Sequence, residues 1–68
     1  MKFSITLNGE PRDVAPNTSI AALAAEIGLN PAKIAVERNL EIVPRSTLAD
    51  VLIEAGDQIE IVHFVGGG

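Results

Sequence analysis

The sequence predicts an α+β fold in which a mixed sheet of four to five strands packs on one main helix. Three observations carry the prediction. Period-two alternation opens the chain over residues 2–8 and returns over residues 57–64. Between these segments Ile20, Leu23, Ala24 and Ile27 fall at i, i+3, i+4 and i+7, a single apolar helical stripe. One helix cannot bury such a stripe alone, and each strand offers one apolar face. The helix therefore lies across one face of the sheet, in two layers.

The elements follow in order. In "KFSITLN" (2–8), Phe3, Ile5 and Leu7 share one face while Lys2, Ser4, Thr6 and Asn8 share the other, the pattern of a strand solvated on one side. Asn8-Gly9 predicts a type I′ hairpin turn, which needs positive φ at both central residues. The return strand runs from Glu10 to about Val14, and Pro11 assigns it to a sheet edge because proline cannot donate to a ladder. Thr18 or Asn17 is placed to cap the helix, Gly28 to end it in the left-handed region, and Asn30-Pro31 to block its continuation. "AKIAVERN" (32–39) reads as a strand with Ile34 and Val36 on one face. "LEIVPRS" (40–46) gives a short strand closed by Pro44. Residues 47–55, "TLADVLIEA", form a brief helical turn or an irregular crossing that carries Leu48, Leu52 and Ile53 inward. Gly56-Asp57 signal a turn before the last strand, "DQIEIVHF" (57–64).

Composition narrows the function classes. With 68 residues and 47% hydrophobic content this is one small domain, long enough to bury about 60% of its unfolded surface. Cysteine is absent, which removes disulfides, thiolate metal sites and a cysteine nucleophile together. Net charge is −4, and the five cations are scattered as Lys2, Arg12, Lys33, Arg38 and Arg45. No basic stripe exists to follow a phosphate backbone, so nucleic acid is not an expected partner. An acidic surface suits docking on a basic protein groove, or simply solubility. No apolar run is long enough to span a bilayer and the N-terminus has no cationic and apolar leader pattern, so the expected partner is no membrane and the expected compartment is the cytoplasm.

The last six residues, "HFVGGG", raise the functional question. Glycine loses more backbone freedom on ordering than any other residue, so three of them make a poor anchored terminus. One reading is a frayed end or a linker scar. The other is that the final carboxylate is the working group and the glycines let it enter a partner's narrow active site. The domain proper then covers residues 1–65, and residues 66–68 are a flexible tail. Val65 to Gly68 reach at most ~13–14 Å when extended. The glycine run is not a phosphate loop, since it does not lead from a strand into a helix and lacks the Lys and Ser/Thr.

The order of elements, with glycines extruded from the last strand, resembles the ubiquitin-like β-grasp fold. Within it, "AVERNLEIVPRS" and "GDQIEIVHFVGGG" resemble the ThiS family of sulfur carriers of thiamine biosynthesis, along essentially the whole chain. One departure is Asn39-Leu40-Glu41, where many members carry Asn-Gly before the acidic residue. Leucine disfavours the positive φ that glycine allows, which puts the shape of this turn in question. The resemblance implies a protein co-substrate rather than an enzyme. A ThiF-type adenylyltransferase uses ATP and its metal to convert the Gly68 carboxylate to an acyl-adenylate. Sulfur from a cysteine desulfurase then replaces AMP to leave a thiocarboxylate, and a ThiG-type thiazole synthase takes that sulfur. No cofactor or metal is expected on the chain itself, and the free carrier is expected to be a monomer.

The candidate site residues follow. Gly68 carries the reacting carboxylate, while Gly66 and Gly67 thread the tail. If Ile59 and Ile61 face the helix, then Gln58, Glu60, Val62 and Phe64 lie on the outward face, with Val62, Phe64 and Glu60 as the partner-binding set. Ordinary exposed apolar residues, or a second small cluster, are the alternative for Val62 and Phe64. His63 shares a face with Ile61 at the rim of the core and reads as structural or tail-orienting, with no catalytic neighbour at a useful spacing. Glu54, Asp57 and Glu60 straddle a turn and a strand and read as solvated surface rather than a metal site. Arg45 either satisfies carbonyls at the sheet end or is an exposed cation. Three rival functions share the fold: a MoaD-like carrier for molybdopterin synthesis, a ubiquitin-like protein modifier, and a regulatory or RNA-associated module. The lack of tyrosine and tryptophan for base stacking weighs against RNA.

Overall fold

In the computed structural model, residues 1–64 are described. Strand β1 (Phe3–Leu7) turns at Asn8 and Gly9 (φ +50° and +83°) into antiparallel β2 (Glu10–Val14), as the Asn-Gly turn requires. Helix α1 (Ile20–Glu26) follows, then β3 (Ile34–Arg38), β4 (Glu41–Val43) and β5 (Gln58–His63). The sheet has five strands in the order β2-β1-β5-β3-β4. Its one parallel pair is β1 with β5, so the last strand lies at the centre, between two hairpins. Strand β2 is at an edge, where Pro11 costs no ladder bond.

The core lies between the sheet and α1. Ile5, Val14, Ile34, Val36, Ile59 and Ile61 come from the strands, Ile20, Leu23 and Ala24 from the helix, and Leu48 and Ile53 from the crossing. The core faces predicted for β1, β3 and β5 are the ones observed, except that His63 at the end of β5 is exposed. The helix stripe agrees as well, with Ile27 packed at its edge. Gly28 takes φ +86° directly after the helix, the left-handed terminator expected of it.

The helix start differs from the sequence expectation. Ser19, not Thr18 or Asn17, is the cap, and its Oγ accepts the N–H of Ala22 at 3.0 Å. The free N–H groups of Ile20 and Ala21 donate to Val51 O (3.0 Å) and Leu48 O (2.9 Å), so the crossing completes the cap. Asn17 instead sits at φ +64°, and the Thr18 hydroxyl donates to Ala15 O. The same crossing corrects Leu52. After a single 3-10 turn (Arg45–Thr47) the chain is irregular, and Ser19 bridges Leu52 antiparallel. In extended backbone neighbours face opposite ways, so Ile53 is buried while Leu52 turns outward, 47% exposed. Strand β3 is also shorter than expected at its start. Ala32 and Lys33 belong to a 3-10 turn (Pro31–Lys33) capped by Asn30 Oδ1.

Candidate functional site

The candidate site is the outward face of β5 and the point where that strand leaves the sheet. Cross-strand pairing fixes which backbone groups face which neighbour. Asn39 N–H donates to Gln58 O and Phe64 N–H to Lys33 O, so Gln58, Glu60, Val62 and Phe64 bond toward β3. Thr6 N–H and Asn8 N–H donate to Asp57 O and Ile59 O, so the odd residues bond toward β1. Ile61 has no backbone partner on that side, because β1 ends at Leu7, opposite Ile59. The side-chain amide of Asn8 takes the place of that partner. Its Oδ1 accepts Ile61 N–H at 2.8 Å and its Nδ2 donates to Ile61 O at 3.3 Å.

Ile59 and Ile61 face the helix and are buried, which leaves Gln58, Glu60, Val62 and Phe64 exposed on the other face, as the alternation predicts. Val62 is 61% exposed and lies opposite Ala35 of β3, which is also exposed. Ile42 of β4, 71% exposed, adds an apolar side chain to the same face. Glu60 lies directly opposite Glu37, so two carboxylates stand side by side next to this apolar strip. A groove of about 340 Å³ continues the face toward the first hairpin, lined by Thr6, Asn8, Gly9, Gln58, Ile59 and Glu60.

Phe64 is held from within the chain. The Arg45 guanidinium stands 5.5 Å from the centroid of its ring, and Arg45 Nε donates to Ile34 O at 3.4 Å. The carbonyl-satisfying role considered for Arg45 is thus present, together with a cation–π contact. The outward set Glu60, Val62 and Phe64 therefore ends in a stacked Arg45–Phe64 pair. Gly66, Gly67 and Gly68, the tail residues of the predicted site, lie outside the described residues.

Two expectations need correction. His63 aligns with Ile34 at the strand end, on the face expected of it, but it is exposed rather than packed at the core rim. Asp57 is not solvated surface; it is 6% exposed. Its Oδ2 accepts Arg38 Nε and Glu54 N–H, both at 2.9 Å, and its Oδ1 accepts Asn39 Nδ2 at 3.1 Å. Burial pushes its carboxyl up, but the Glu54 N–H, the Asn39 amide and the Arg38 guanidinium together outweigh this and hold it below the usual carboxylate value. Glu54 meanwhile pairs with Arg38 at 3.2 Å, and Glu60 stands on the opposite face of the strand. The three acids do not converge.

Among known protein families, the ThiS family matches residues 5–68. A thiazole synthase of Paramagnetospirillum magneticum is 48% identical over 66 residues, 97% of this chain and 20% of that protein. The sulfur carrier protein ThiS of Bacillus subtilis is 40% identical over 65 residues, 94% of this chain and 98% of its own length. The chain spans about a fifth of the length of the thiazole synthases it matches. Among solved structures, the thiamine biosynthesis protein ThiS of Geobacter metallireducens superposes with a TM-score of 0.79 at 28% identity, covering 97% of this chain and all of that one. A ubiquitin of Caldiarchaeum subterraneum, 23% identical, shares the fold with a TM-score of 0.54 over 100% of this chain and 98% of its own. The five-stranded mixed sheet on one helix is the ubiquitin-like β-grasp, and the chain belongs to the ThiS family.

Proposed function

We propose that this domain is a sulfur carrier for thiazole formation in thiamine biosynthesis, with the Gly68 carboxylate as the group that carries sulfur. A single observation bears most weight: the family match runs from the first strand through the terminal glycines. The thiazole synthases among its relatives support a ThiG-type acceptor.

A free carboxylate is a poor acylating group, and adenylation supplies a leaving group. A ThiF-type adenylyltransferase directs a Gly68 oxygen onto the α-phosphorus of ATP, so that the P–O bond to the β-phosphate breaks and pyrophosphate leaves. A persulfide sulfur, drawn from a cysteine desulfurase, then attacks the carbonyl carbon; the C–S bond forms, the C–O bond to AMP breaks, and a thiol cleaves the resulting acyl disulfide, leaving the thiocarboxylate and a disulfide. The thiocarboxylate passes its sulfur to the thiazole synthase. ATP and the metal that accompanies it stay with the partner. The body contributes a docking face, Glu60, Val62 and Phe64, beside the strand end from which Gly66 and Gly67 thread. Lacking Cβ atoms, those residues let the partner's pocket close on the backbone.

Intact-mass measurement tests the reading. After incubation with the activating enzyme, ATP and a sulfur donor, the protein gains the mass of one oxygen-to-sulfur exchange, located at Gly68. Appending one alanine abolishes the gain while the fold persists. Normal thiolation of the extended protein refutes a reaction at the Gly68 carboxylate, and isopeptide adducts on other proteins in place of the exchange identify a modifier.

A further inference from the structure

A type I′ turn needs only the backbone of Asn8, yet its side chain reaches a strand 53 residues away. Strand β1 leaves the sheet after Leu7, and the next ladder position, Ile61, has lost its backbone partner. The Asn8 amide fills that position by both accepting from and donating to Ile61, which holds the two peptide units on either side of its Cα, one bond to each.

The consequence lies in where the two-sided support ends. Strand β5 is held from both sides through Ile61, by β1 and Asn8 on one side and β3 on the other. Beyond it, the backbones of Val62 and Phe64 bond only toward β3, at Ala35 and Lys33, and the Arg45 guanidinium over the Phe64 ring adds a side-chain contact. Ile61 is the last doubly held residue before the tail. Phe64 lies three residues further on, about 10 Å of extended chain. A tilt of about 10° at Ile61 would therefore move the root of the tail by about 2 Å, a large error when an ångström of misplacement costs up to ~10²-fold in rate.

We infer that Asn8 is a positioning residue of the carrier: its amide fixes the direction in which the chain leaves the sheet toward Gly68. The inference rests on the sulfur-carrier reading and adds to it the residue that aims the tail.

Two variants separate aiming from folding. Asn8→Gly keeps the positive φ of the turn and removes the amide; Asn8→Asp keeps the acceptor for Ile61 N–H and removes the donor to its carbonyl. In the full protein, Asn8→Gly speeds amide exchange at Ile61 about tenfold and leaves Leu23 and Val36 unchanged. In thiocarboxylate formation by the activating enzyme, kcat falls about tenfold while KM stays within about twofold, because Glu60, Val62 and Phe64 are untouched. Asn8→Asp is intermediate in kcat. Wild-type kcat and KM in Asn8→Gly overturn the inference, as does a kcat loss matched by equally faster exchange at Leu23 and Val36. If the unmodified protein gains no sulfur in the same assay, the carrier reading itself falls and takes this one with it.

Discussion

At the residue scale, Leu40 is the clearest conflict between side chain and backbone. Asn39 and Leu40 both take positive φ, +51° and +70°, in the two-residue turn between β3 and β4. The shape that asparagine and glycine favour is therefore kept with a leucine in the second position, its side chain 79% exposed. A left-handed L-residue costs about 1–2 kcal/mol, and glycine gives part of that back in unfolded-state entropy. Leu40→Gly is expected to stabilise the domain by about 0.5–1 kcal/mol, read as a higher urea midpoint with an unchanged slope. A lower midpoint would mean that the leucine makes contacts worth more than its strain.

Strand pairs set the next scale. Glu37 and Glu60 face each other across β3 and β5, where like charges oppose pairing. The free domain tolerates this repulsion beside Val62 and Phe64, in the proposed docking face, and a cationic partner surface would relieve it. Glu60→Gln should raise stability by about 0.2–0.5 kcal/mol in thermal or urea unfolding and slow association with the activating enzyme at low salt. Faster association would place the partner's own acids against this face. The elements themselves were legible wherever the signal is local. Alternation gave the core faces of β1, β3 and β5, and Asn8-Gly9 gave the first turn. The helix cap was displaced by one residue because Ile20 and Ala21 find partners in Val51 and Leu48, almost thirty positions away or more. Leu52 was misplaced because an irregular crossing has no period to read.

Over the whole molecule, the polar side chains whose roles the sequence hides share one cause: partners distant along the chain. Asp57 draws on Arg38 and Asn39, 19 and 18 residues away, and Asn8 on Ile61. Nothing in a sequence window distinguishes such residues from solvated turn formers. The Asp57 cluster ties the end of β3 to the start of β5, since Asn39 also accepts Gln58 N–H and donates to Gln58 O. It therefore bears on global stability and on pH. A carboxyl held below its unfolded value stabilises the fold fully above that value, and the contribution is lost as pH falls through the folded value. Asp57→Asn is expected to cost about 2–3 kcal/mol at neutral pH. It should also flatten the loss of stability as pH falls below the ordinary aspartate value, measured by urea unfolding across the acid range. A variant with the wild-type acid slope would assign that slope to other carboxylates.

The central place of β5 has a consequence for biosynthesis. The two hairpins leave the ribosome before residues 58–63 and share no edge with each other until those residues arrive. Any enzyme that recognises the assembled sheet is therefore blind to chains not yet translated through the sixth strand residue of β5.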